Sequence, residues 1–332
     1  MRAMLMTRAG GPEVLQLGDV ARPEPAGEQD LLVRLAAAGV NPVDTKLRSK
    51  GVLAAAEGPH ILGCDGAGLV EAVGPRAERF AVGDPVYFCH GGIGGPVGNY
   101  AEYALIDERF AARKPANLSF IEAAAAPLVL LTAWESLHDR GRLQAGQTVL
   151  IHAGAGGVGH VAVQLAVLTG ARVCATVSSP DKAEFVSSLG AERVINYRDE
   201  EVVPAVMDWT AGQGVDLALD TVGGSTFVQT FPAVRHYGAL VTLLQPSPDT
   251  DWKEARLRNL CICQELMLTP MLLGLTDWQI YQAGILEECA ALFEANRLRV
   301  EVAESYPLAQ AARAHRRLEA GSVTGKLVLT MG

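Results

Sequence analysis

The stretch at residues 148–170 places a glycine-rich turn between a strand-like and a helix-like segment. Residues 148–151 are apolar and largely β-branched, and Gly154, Gly156 and Gly159 follow with the spacing G-x-G-x-x-G. Apolar residues then recur at helical spacing until a glycine marks the end of the helix, and a second strand-like segment comes next. This order is typical of a unit that binds a dinucleotide, and it favours such a site over a plain strand–turn–helix.

Each glycine of this turn has a distinct expected role. Gly154 would allow the tight turn, Gly156 would let a diphosphate approach the backbone, and Gly159 would let the helix lie close to its strand. The helix would begin around Gly157 and Val158, where free backbone N–H groups and the helix dipole favour phosphate. We therefore predict that these five residues bind the diphosphate of the cofactor.

The end of the second strand indicates which dinucleotide is bound. A site for NAD has Asp or Glu about 20 residues after the first glycine, to bind the ribose hydroxyls. Here that region contains Thr176, Ser178 and Ser179, without a carboxylate, and Lys182 follows with a positive charge. Hydroxyl donors and a cation suit a 2′-phosphate, so we predict NADPH. Alternatively, Ser179 caps a helix and Lys182 lies on a solvated face; the two interpretations are compatible.

The rest of the chain divides into a β-rich part and an α/β part. Strand-like and helix-like segments alternate through residues 124–270, which predicts a doubly wound parallel sheet. The predicted strands are 148–152, 172–176, 193–196, 216–220 and 240–244, with a possible sixth at 266–273 that could also be a helix. Residues 1–123 show short strands separated by turns, as in a β-barrel-like domain. A last strand within 271–332 is expected to return to that domain.

Composition excludes several classes of partner. The chain has 332 residues, enough for two domains, and its net charge is −9 without a basic stripe, which disfavours nucleic acid and anionic membranes. No apolar run reaches the roughly 18 residues of a membrane span, and the N-terminus does not resemble a signal peptide. The six cysteines lack C-x-x-C spacing and are typical of reduced thiols. We expect a cytoplasmic protein.

Asn41 and Asp44 have two interpretations. Asn41 suits the N-cap of a short helix, Pro42 its first position, and Asp44 the positive end of its dipole. That reading explains both residues by structure alone. The alternative, that they act at the substrate, is equally open on this pattern.

Ten short motifs in the right order make the chain resemble the medium-chain dehydrogenase/reductase superfamily, in particular its zinc-free quinone oxidoreductase (zeta-crystallin-like) branch. They are GGPEVL (10–15), the AAGVNPVDTKLRSKG text (37–51), ILGCDGAGLVEAVG (61–74), FAVGDPVY (80–87), NYAEYALI (99–106), TAWESL (132–137), AGAGGVG (153–159), VINY (194–197), LDTVGG (219–224) and GKLVL (325–329). The resemblance implies an α/β protein: a GroES-like, β-rich catalytic domain with an inserted Rossmann domain, and a homodimer. The Rossmann domain would span 124–270.

The resemblance also assigns site residues by position. It implies a cleft in which nicotinamide meets the substrate, with Asn41, Asp44, Lys46 and Thr132 as catalytic residues. The residues implied to contact the cofactor, beyond the glycine turn, are Asn41, Thr132, Thr176, Ser178, Ser179, Lys182, Tyr197, Val222, Gly223, Leu243, Gln245, Gly325 and Lys326. One departure concerns the substrate pocket, because Lys46 stands where these reductases usually have an aromatic residue.

Zinc-dependent relatives hold their metal with a Cys/His/Cys set. At the matching positions this chain has Asn41, Cys64 and Leu128, and a single thiolate does not hold Zn²⁺, so we predict no metal. Hydride transfer without a metal suits electron-poor acceptors, namely quinones and α,β-unsaturated carbonyls. The proton donor would be Asn41, Lys46, Thr132 or solvent, and Cys64 is either a pocket wall or a reactive thiol. Two alternatives stay open: a zinc-type alcohol or aldehyde dehydrogenase, and an NADPH-binding protein with a mainly non-catalytic role.

Overall fold

The computed structural model describes residues 1–53, 58–95 and 97–332. They form two compact units. Unit 1 comprises Met1–Leu131 and Leu268–Gly332, and unit 2 comprises Thr132–Met267. No helix of the described residues is long and apolar enough to cross a membrane.

The strands are β1 Arg2–Met6, β2 Leu15–Asp19, β3 Asp30–Val40, β4 His60–Ile61, β5 Asp65–Val73, β6 Pro85–Cys89, β7 Tyr103–Asp107, β8 Ala112–Arg113, β9 Thr148–Ile151, β10 Arg172–Val177, β11 Arg193–Asn196, β12 Val215–Asp220, β13 Val234–Thr242, β14 Cys261–Gln264, β15 Val302–Pro307 and β16 Lys326–Thr330. The α-helices are α1 Pro42–Lys50, α2 Phe120–Ala125, α3 Pro127–Trp134, α4 Gly157–Leu168, α5 Pro180–Ser188, α6 Val202–Trp209, α7 Ser225–Thr230, α8 Lys253–Leu257, α9 Thr269–Leu273, α10 Thr276–Glu294 and α11 Ala311–Glu319. Four 3₁₀ turns (Pro12–Val14, Glu108–Phe110, Phe231–Ala233 and Leu308–Gln310) and a π-helical turn (Glu135–Arg140) are also present in the described residues.

Unit 1 is built on two sheets. Its larger sheet has the order β15-β16-β3-β5-β6-β8, with β7 also paired to β3, and its smaller sheet has the order β2-β1-β4. The pairing is antiparallel except between β15 and β16. Strand β16, near the C-terminus, pairs with the end of β3, and Leu327, Val328 and Leu329 are fully buried there. This register places Lys326 beside the start of α1, where the candidate site lies.

Unit 2 is a six-stranded parallel sheet with the order β11-β10-β9-β12-β13-β14. Numbered within the unit, this is the order 3-2-1-4-5-6 of the Rossmann fold, in which ligands bind at the carboxyl ends of the strands where the order reverses. The reversal lies between β9 and β12. The predicted α/β fold, a β-rich domain combined with a doubly wound parallel sheet of the Rossmann type, is confirmed.

Of the two interpretations of residues 266–273, the strand is wrong and the helix is confirmed for residues 269–273. The sixth strand is β14, which pairs in parallel with β13, and residues 269–273 form the short helix α9. Pro270 explains the difference, because it cannot donate to a strand ladder but fits the first turn of a helix. Gly274, with φ 63°, ends that helix in the left-handed conformation. Strand β14 is therefore one of the two edge strands of the sheet, and β11 is the other.

Candidate active site

Helix α1 begins at Asn41 in unit 1, as the sequence predicts. Asn41 is its N-cap, and the Asp44 carboxylate accepts the backbone N–H of Asn41 at 2.8 Å. The side chain of Asn41 points to other partners: its Nδ2 donates to Asp65 Oδ2 at 2.8 Å. Both Asn41 and Asp44 are fully buried. The helix start therefore accounts for the backbone contact, while the amide of Asn41 belongs to a polar cluster inside the unit.

Lys326 joins that cluster from β16. Its ammonium donates to Val40 O at 3.1 Å and to Asn41 Oδ1, and it lies 3.6 Å from Asp65 Oδ2. Asp65 Oδ1 accepts the backbone N–H of Leu128 at 2.8 Å. Burial lowers the pKa of Lys326 and raises that of Asp65, while their mutual attraction opposes both shifts. The result is a buried ion pair held in place by amide and backbone groups.

Gly325 makes the position of Lys326 possible. The glycine has φ 75°, and a Cβ placed on it would lie 2.3 Å from Glu301 O. A side chain at this position would therefore push β16 away from its neighbour. Gly325 and Lys326, which the family resemblance implies to contact the cofactor, thus have a structural role in unit 1, and their contact with the cofactor stays a prediction.

Asp44 is the second carboxylate of the cluster, and it lacks a cation of its own. Burial raises the pKa of Asp44 from 3.8 to about 7, although the Asn41 N–H and the Tyr100 hydroxyl stabilise the charged form and the Asp65 carboxylate opposes it. Lys326 is near enough to lower the pKa, but it lies against Asp65. One ammonium therefore faces two carboxylates.

The structure adds two residues that sequence reasoning missed. The Tyr100 hydroxyl lies 3.0 Å from Asp44 Oδ2 and 3.1 Å from His315 Nε2, and all three side chains are buried. Burial lowers the pKa of His315 from 6.5 to about 4, and the charge of Arg48 adds to this effect. Because Tyr100 and His315 are separated by 215 residues in the chain, no local pattern could join them to Asp44.

The other predicted catalytic residues differ in exposure. Lys46 is exposed on α1, and Thr132 is buried on α3. Cys64 is fully buried. A hydrogen bond with Cys89 lowers the pKa of its thiol, but burial and the charges of Asp44 and Asp65 together outweigh it and raise the pKa, so the thiolate is disfavoured. These facts favour Cys64 as part of a wall over Cys64 as a reactive thiol.

In unit 2 the glycine turn joins β9 to α4. The residue with positive φ is Ala153 (49°), rather than any of the three motif glycines. A Cβ on Gly154 would lie 2.8 Å from the Ala175 side chain, and one on Gly159 would lie 2.2 Å from Ala153 O. Gly156, the N-cap of α4, has more space around it: an added Cβ would lie 3.2 Å from Ala153 O. Gly154 and Gly159 are thus required by packing, and Gly156 leaves room above the helix N-terminus.

A buried histidine contacts the threonine that hydrogen-bonds this turn. His152 lies between two threonine hydroxyls, with Nε2 at 2.8 Å from Thr230 Oγ1 and Nδ1 at 3.3 Å from Thr176 Oγ1. Thr176 Oγ1 also accepts the N–H of Ala153 at 3.1 Å. Burial lowers the pKa of His152 to about 4, which keeps the ring neutral. Thr176 thus positions the turn, and its predicted contact with the cofactor is untested.

The residues predicted around a 2′-phosphate come together at the ends of β10 and β11. Ser179 caps α5 by accepting the N–H of Lys182, and Lys182 Nζ lies 3.4 Å from Ser178 Oγ. Tyr197 follows β11, donates its N–H to Val177 O at 3.1 Å, and has an exposed ring. No carboxylate ends β10. Both interpretations of Ser179 and Lys182 are therefore compatible with the structure.

The turns after β12 and β13 are organised by Asp220, which sequence reasoning missed. Its Oδ1 accepts the N–H groups of Val222 (3.0 Å) and Gly223 (2.8 Å), and its Oδ2 accepts the hydroxyl of Thr242 at 2.8 Å. Leu243 and Gln245 follow directly. They line a cavity of about 570 Å³ at the carboxyl ends of β13 and β14, together with Leu244, Trp252 and Leu266 among others. The LDTVGG motif was the available signal for Asp220.

Comparison with known proteins identifies the family. Residues 27–116 match the alcohol dehydrogenase GroES-like domain, and residues 189–329 match the zinc-binding dehydrogenases. A quinone oxidoreductase of Pseudomonas aeruginosa is 37% identical over 322 residues, which cover 96% of each chain. The chain belongs to the quinone oxidoreductase branch of the medium-chain dehydrogenase/reductase superfamily.

Other members of the family agree with this assignment. Quinone oxidoreductase 1 of Escherichia coli is 33% identical over 96% of each chain. A 2-haloacrylate reductase of Burkholderia is 31% identical over 98% of each chain. The crystal structure of an alcohol dehydrogenase superfamily protein from Novosphingobium aromaticivorans superposes with a TM-score of 0.92, at 36% identity and full coverage of both chains. The E. coli quinone oxidoreductase solved with NADPH gives a TM-score of 0.87 at 29% identity, over 99% of this chain and 100% of the other.

The superfamily contains zinc-dependent members, so the question is which side chains of this protein could bind a metal ion. Within residues 1–53, 58–95 and 97–332, no three His, Cys, Asp or Glu side chains group so that they could hold a metal ion. Asn41 and Leu128 stand at two of the three ligand positions, and Leu128 contributes its backbone N–H to Asp65 there. The absence of zinc in the working protein stays a prediction.

Proposed function

We propose that this protein is an NADPH-dependent oxidoreductase that reduces quinones or α,β-unsaturated carbonyls without a metal. The observation that carries the proposal is the end of β10, where Ser178, Lys182 and Tyr197 surround a strand that ends without a carboxylate. An acidic residue at this position binds the ribose hydroxyl of NAD and would repel a 2′-phosphate. Two relatives that match 96% of the chain are named quinone oxidoreductases, which supports the acceptor class.

The residues of unit 2 fit a dinucleotide. The open space at Gly156 and the N–H groups at the start of α4 suit a diphosphate, and the turn organised by Asp220 presents Val222 and Gly223 at the next strand. When bound, NADPH supplies the hydride. The protein would bind and orient it, and hold donors for the negative charge that develops on the acceptor. We propose Asn41, Lys46 and Thr132 as such donors.

The direct test is anaerobic oxidation of NADPH, followed by absorbance, with p-benzoquinone, an enone and an aldehyde as acceptors. We expect turnover with the quinone or the enone, little with the aldehyde, and slower turnover with NADH. Metal analysis of the same preparation discriminates the alternative. Stoichiometric zinc together with aldehyde reduction would support a zinc-type dehydrogenase, and no turnover with any acceptor would support a mainly non-catalytic role.

Replacing Lys182 with alanine should weaken the binding of NADPH but not that of NADH. A charge-assisted hydrogen bond contributes about 1.5–3 kcal/mol, so we expect the KM for NADPH to rise at least about tenfold while that for NADH changes little. Steady-state kinetics with both cofactors would measure this. Lys253→Ala is the matched control, since Lys253 is an exposed lysine on α8 of the same unit. Equal losses for NADPH and NADH would contradict the 2′-phosphate assignment.

We further propose a cytoplasmic homodimer that pairs through β14, one of the two edge strands of the parallel sheet. All six cysteines are free thiols, which suits a reducing compartment. Light scattering should give twice the monomer mass at micromolar concentration. A monomer under those conditions would reject the dimer.

A further inference from the structure

A continuous hydrogen-bonded chain of three side chains runs through the interior of unit 1. Asp44 lies on α1, Tyr100 precedes β7, and His315 lies on α11. The Tyr100 oxygen is 3.0 Å from Asp44 Oδ2 and 3.1 Å from His315 Nε2, and all three residues are 0% exposed. The tyrosine and histidine rings meet edge to face. Each link is a normal hydrogen bond in a dry environment, where such chains are strengthened.

The two outermost polar atoms of this chain are buried without a partner. They are Asp44 Oδ1 at one end and His315 Nδ1 at the other. An unpartnered buried polar atom destabilises the fold, so a pair at the two ends of one chain calls for an explanation. A carboxylate oxygen and an imidazole nitrogen are also the atoms through which a proton would leave or enter.

The chain has two arrangements that differ by one proton. In the first, Asp44 is a carboxylate, Tyr100 donates to it, and His315 donates to Tyr100 through Nε2–H, so that Nδ1 is bare. In the second, Asp44 is protonated and donates to Tyr100, Tyr100 donates to His315 Nε2, and the histidine proton is on Nδ1. Adding one proton at Nδ1 and shifting each hydrogen by one link converts the first arrangement into the second. The net change is a proton gained by Asp44.

We propose that Asp44, Tyr100 and His315 form a proton relay in which a proton enters at His315 Nδ1 and is stored on Asp44. Reduction of a quinone or enone needs one proton for each hydride, and Asp44 would release its proton towards the product anion and become a carboxylate. His315 and Tyr100 are positioning and relay residues that act through Asp44. This use of the proton rests on the proposed function, whereas the relay itself does not.

The charged groups around the relay favour proton storage on the aspartate. Asp44 faces the Asp65–Lys326 pair and the Cys64 and Cys89 thiols, so it is the surplus carboxylate beside one ammonium. Its pKa of about 7 places the exchange of the proton near neutral pH.

At the other end, the charges keep the histidine neutral. His315 faces Arg48, which pairs with Glu319 at 2.6 Å. Its pKa of about 4 means that it changes tautomer rather than charge. The imidazole therefore passes the proton on instead of holding it.

The test reads the tautomer of His315 directly. In protein labelled with ¹⁵N-histidine, long-range ¹H–¹⁵N spectra distinguish Nδ1–H from Nε2–H, and the signal that disappears in His315→Gln assigns the residue. We expect Nδ1–H at low pH, Nε2–H at high pH, and a midpoint near the pKa of Asp44, about 7. Asp44→Asn should abolish the transition. A single tautomer from pH 5 to 9 in the natural protein would overturn the relay.

Tyr100→Phe and Tyr87→Phe form a matched pair. Both tyrosines are buried in unit 1 and hydrogen-bonded through the hydroxyl, but Tyr87 donates to Leu286 O, away from the relay. We expect Tyr100→Phe to remove the tautomer transition and to lower kcat at pH 8 by about tenfold or more, at unchanged NADPH affinity. Tyr87→Phe should leave both readouts as they are. A tautomer transition that survives in Tyr100→Phe overturns the relay. If the transition disappears but kcat is unchanged, the relay exists and its use in catalysis is overturned.

Discussion

Replacing Lys326 with methionine is expected to lower the free energy of unfolding at pH 8 by about 3–5 kcal/mol, because it leaves a buried carboxylate without its counter-ion. Lys326 and Asp65 are buried, 3.6 Å apart, and methionine fills nearly the volume of the lysine stem. The lost charge, rather than a cavity, therefore dominates. Urea denaturation at several pH values would measure the change.

The pH dependence of this variant has a definite sign. Without Lys326, the folded-state pKa of Asp65 is raised further above its unfolded value, so the folded protein binds more protons than the unfolded chain. The stability that the protonated Asp65 carboxyl contributes is fully present below the pKa of Asp65 in the unfolded chain. It is lost as the pH rises through the pKa of Asp65 in the folded protein. The loss in free energy of unfolding caused by Lys326→Met should consequently become smaller as the pH falls from 8 to 5.

A double variant separates charge from packing. In Lys326→Met with Asp65→Asn no buried charge remains, and the asparagine oxygen can still accept the N–H of Leu128. We expect the double variant to recover more than half of the loss, since removing both partners of a buried pair is often nearly neutral. If single and double variants were equally unstable, the ion pair would not be the source of the effect.

Local patterns predicted the parts of the site that lie close together in the chain. The glycine turn, the capping serine at 179 and the helix start at Asn41 each depend on neighbours within a few residues, so their spacing is visible in the sequence. The parallel sheet of unit 2 followed from the alternation of strands and helices, whereas its strand order comes from the structure. The expected role of Gly154 in the tight turn needs one addition: the positive φ of the turn belongs to Ala153, while Gly154 and Gly159 allow close packing.

Contacts between distant segments could not be predicted. The cluster of Asn41, Asp65 and Lys326 depends on the pairing of β16 with β3, and the relay depends on α11 packing near Tyr100. The sixth strand could not be located from the sequence, because the apolar residues 266–273 suit either a strand or a helix and β14 is only the short CICQ segment. Burial of polar residues is a property of the folded unit, so a lone Tyr or His in the sequence does not indicate it.

Gly159→Ala is expected to have the largest effect on unit 2. The added Cβ would lie 2.2 Å from the carbonyl oxygen of Ala153, which is backbone and cannot rotate away. Overpacking of this kind costs about 1–3 kcal/mol and occasionally more, and here it must move α4 relative to the glycine turn. Since that turn is the proposed diphosphate site, we expect a lower melting temperature together with a Kd for NADPH raised at least about tenfold, equivalent to 1.4 kcal/mol.

The same substitution three residues earlier provides the control. At Gly156 an added Cβ would lie 3.2 Å from Ala153 O and would otherwise face open space, so the stability should change by no more than about 1 kcal/mol. The methyl group would, however, occupy the space in which the diphosphate approaches the N-terminus of α4. We therefore expect Gly156→Ala to weaken NADPH binding, measured by fluorescence titration, while the melting temperature, measured by calorimetry, stays nearly unchanged. Unchanged NADPH affinity in both variants would mean that the cofactor binds elsewhere, because no diphosphate could rest on this turn and be indifferent to both methyl groups.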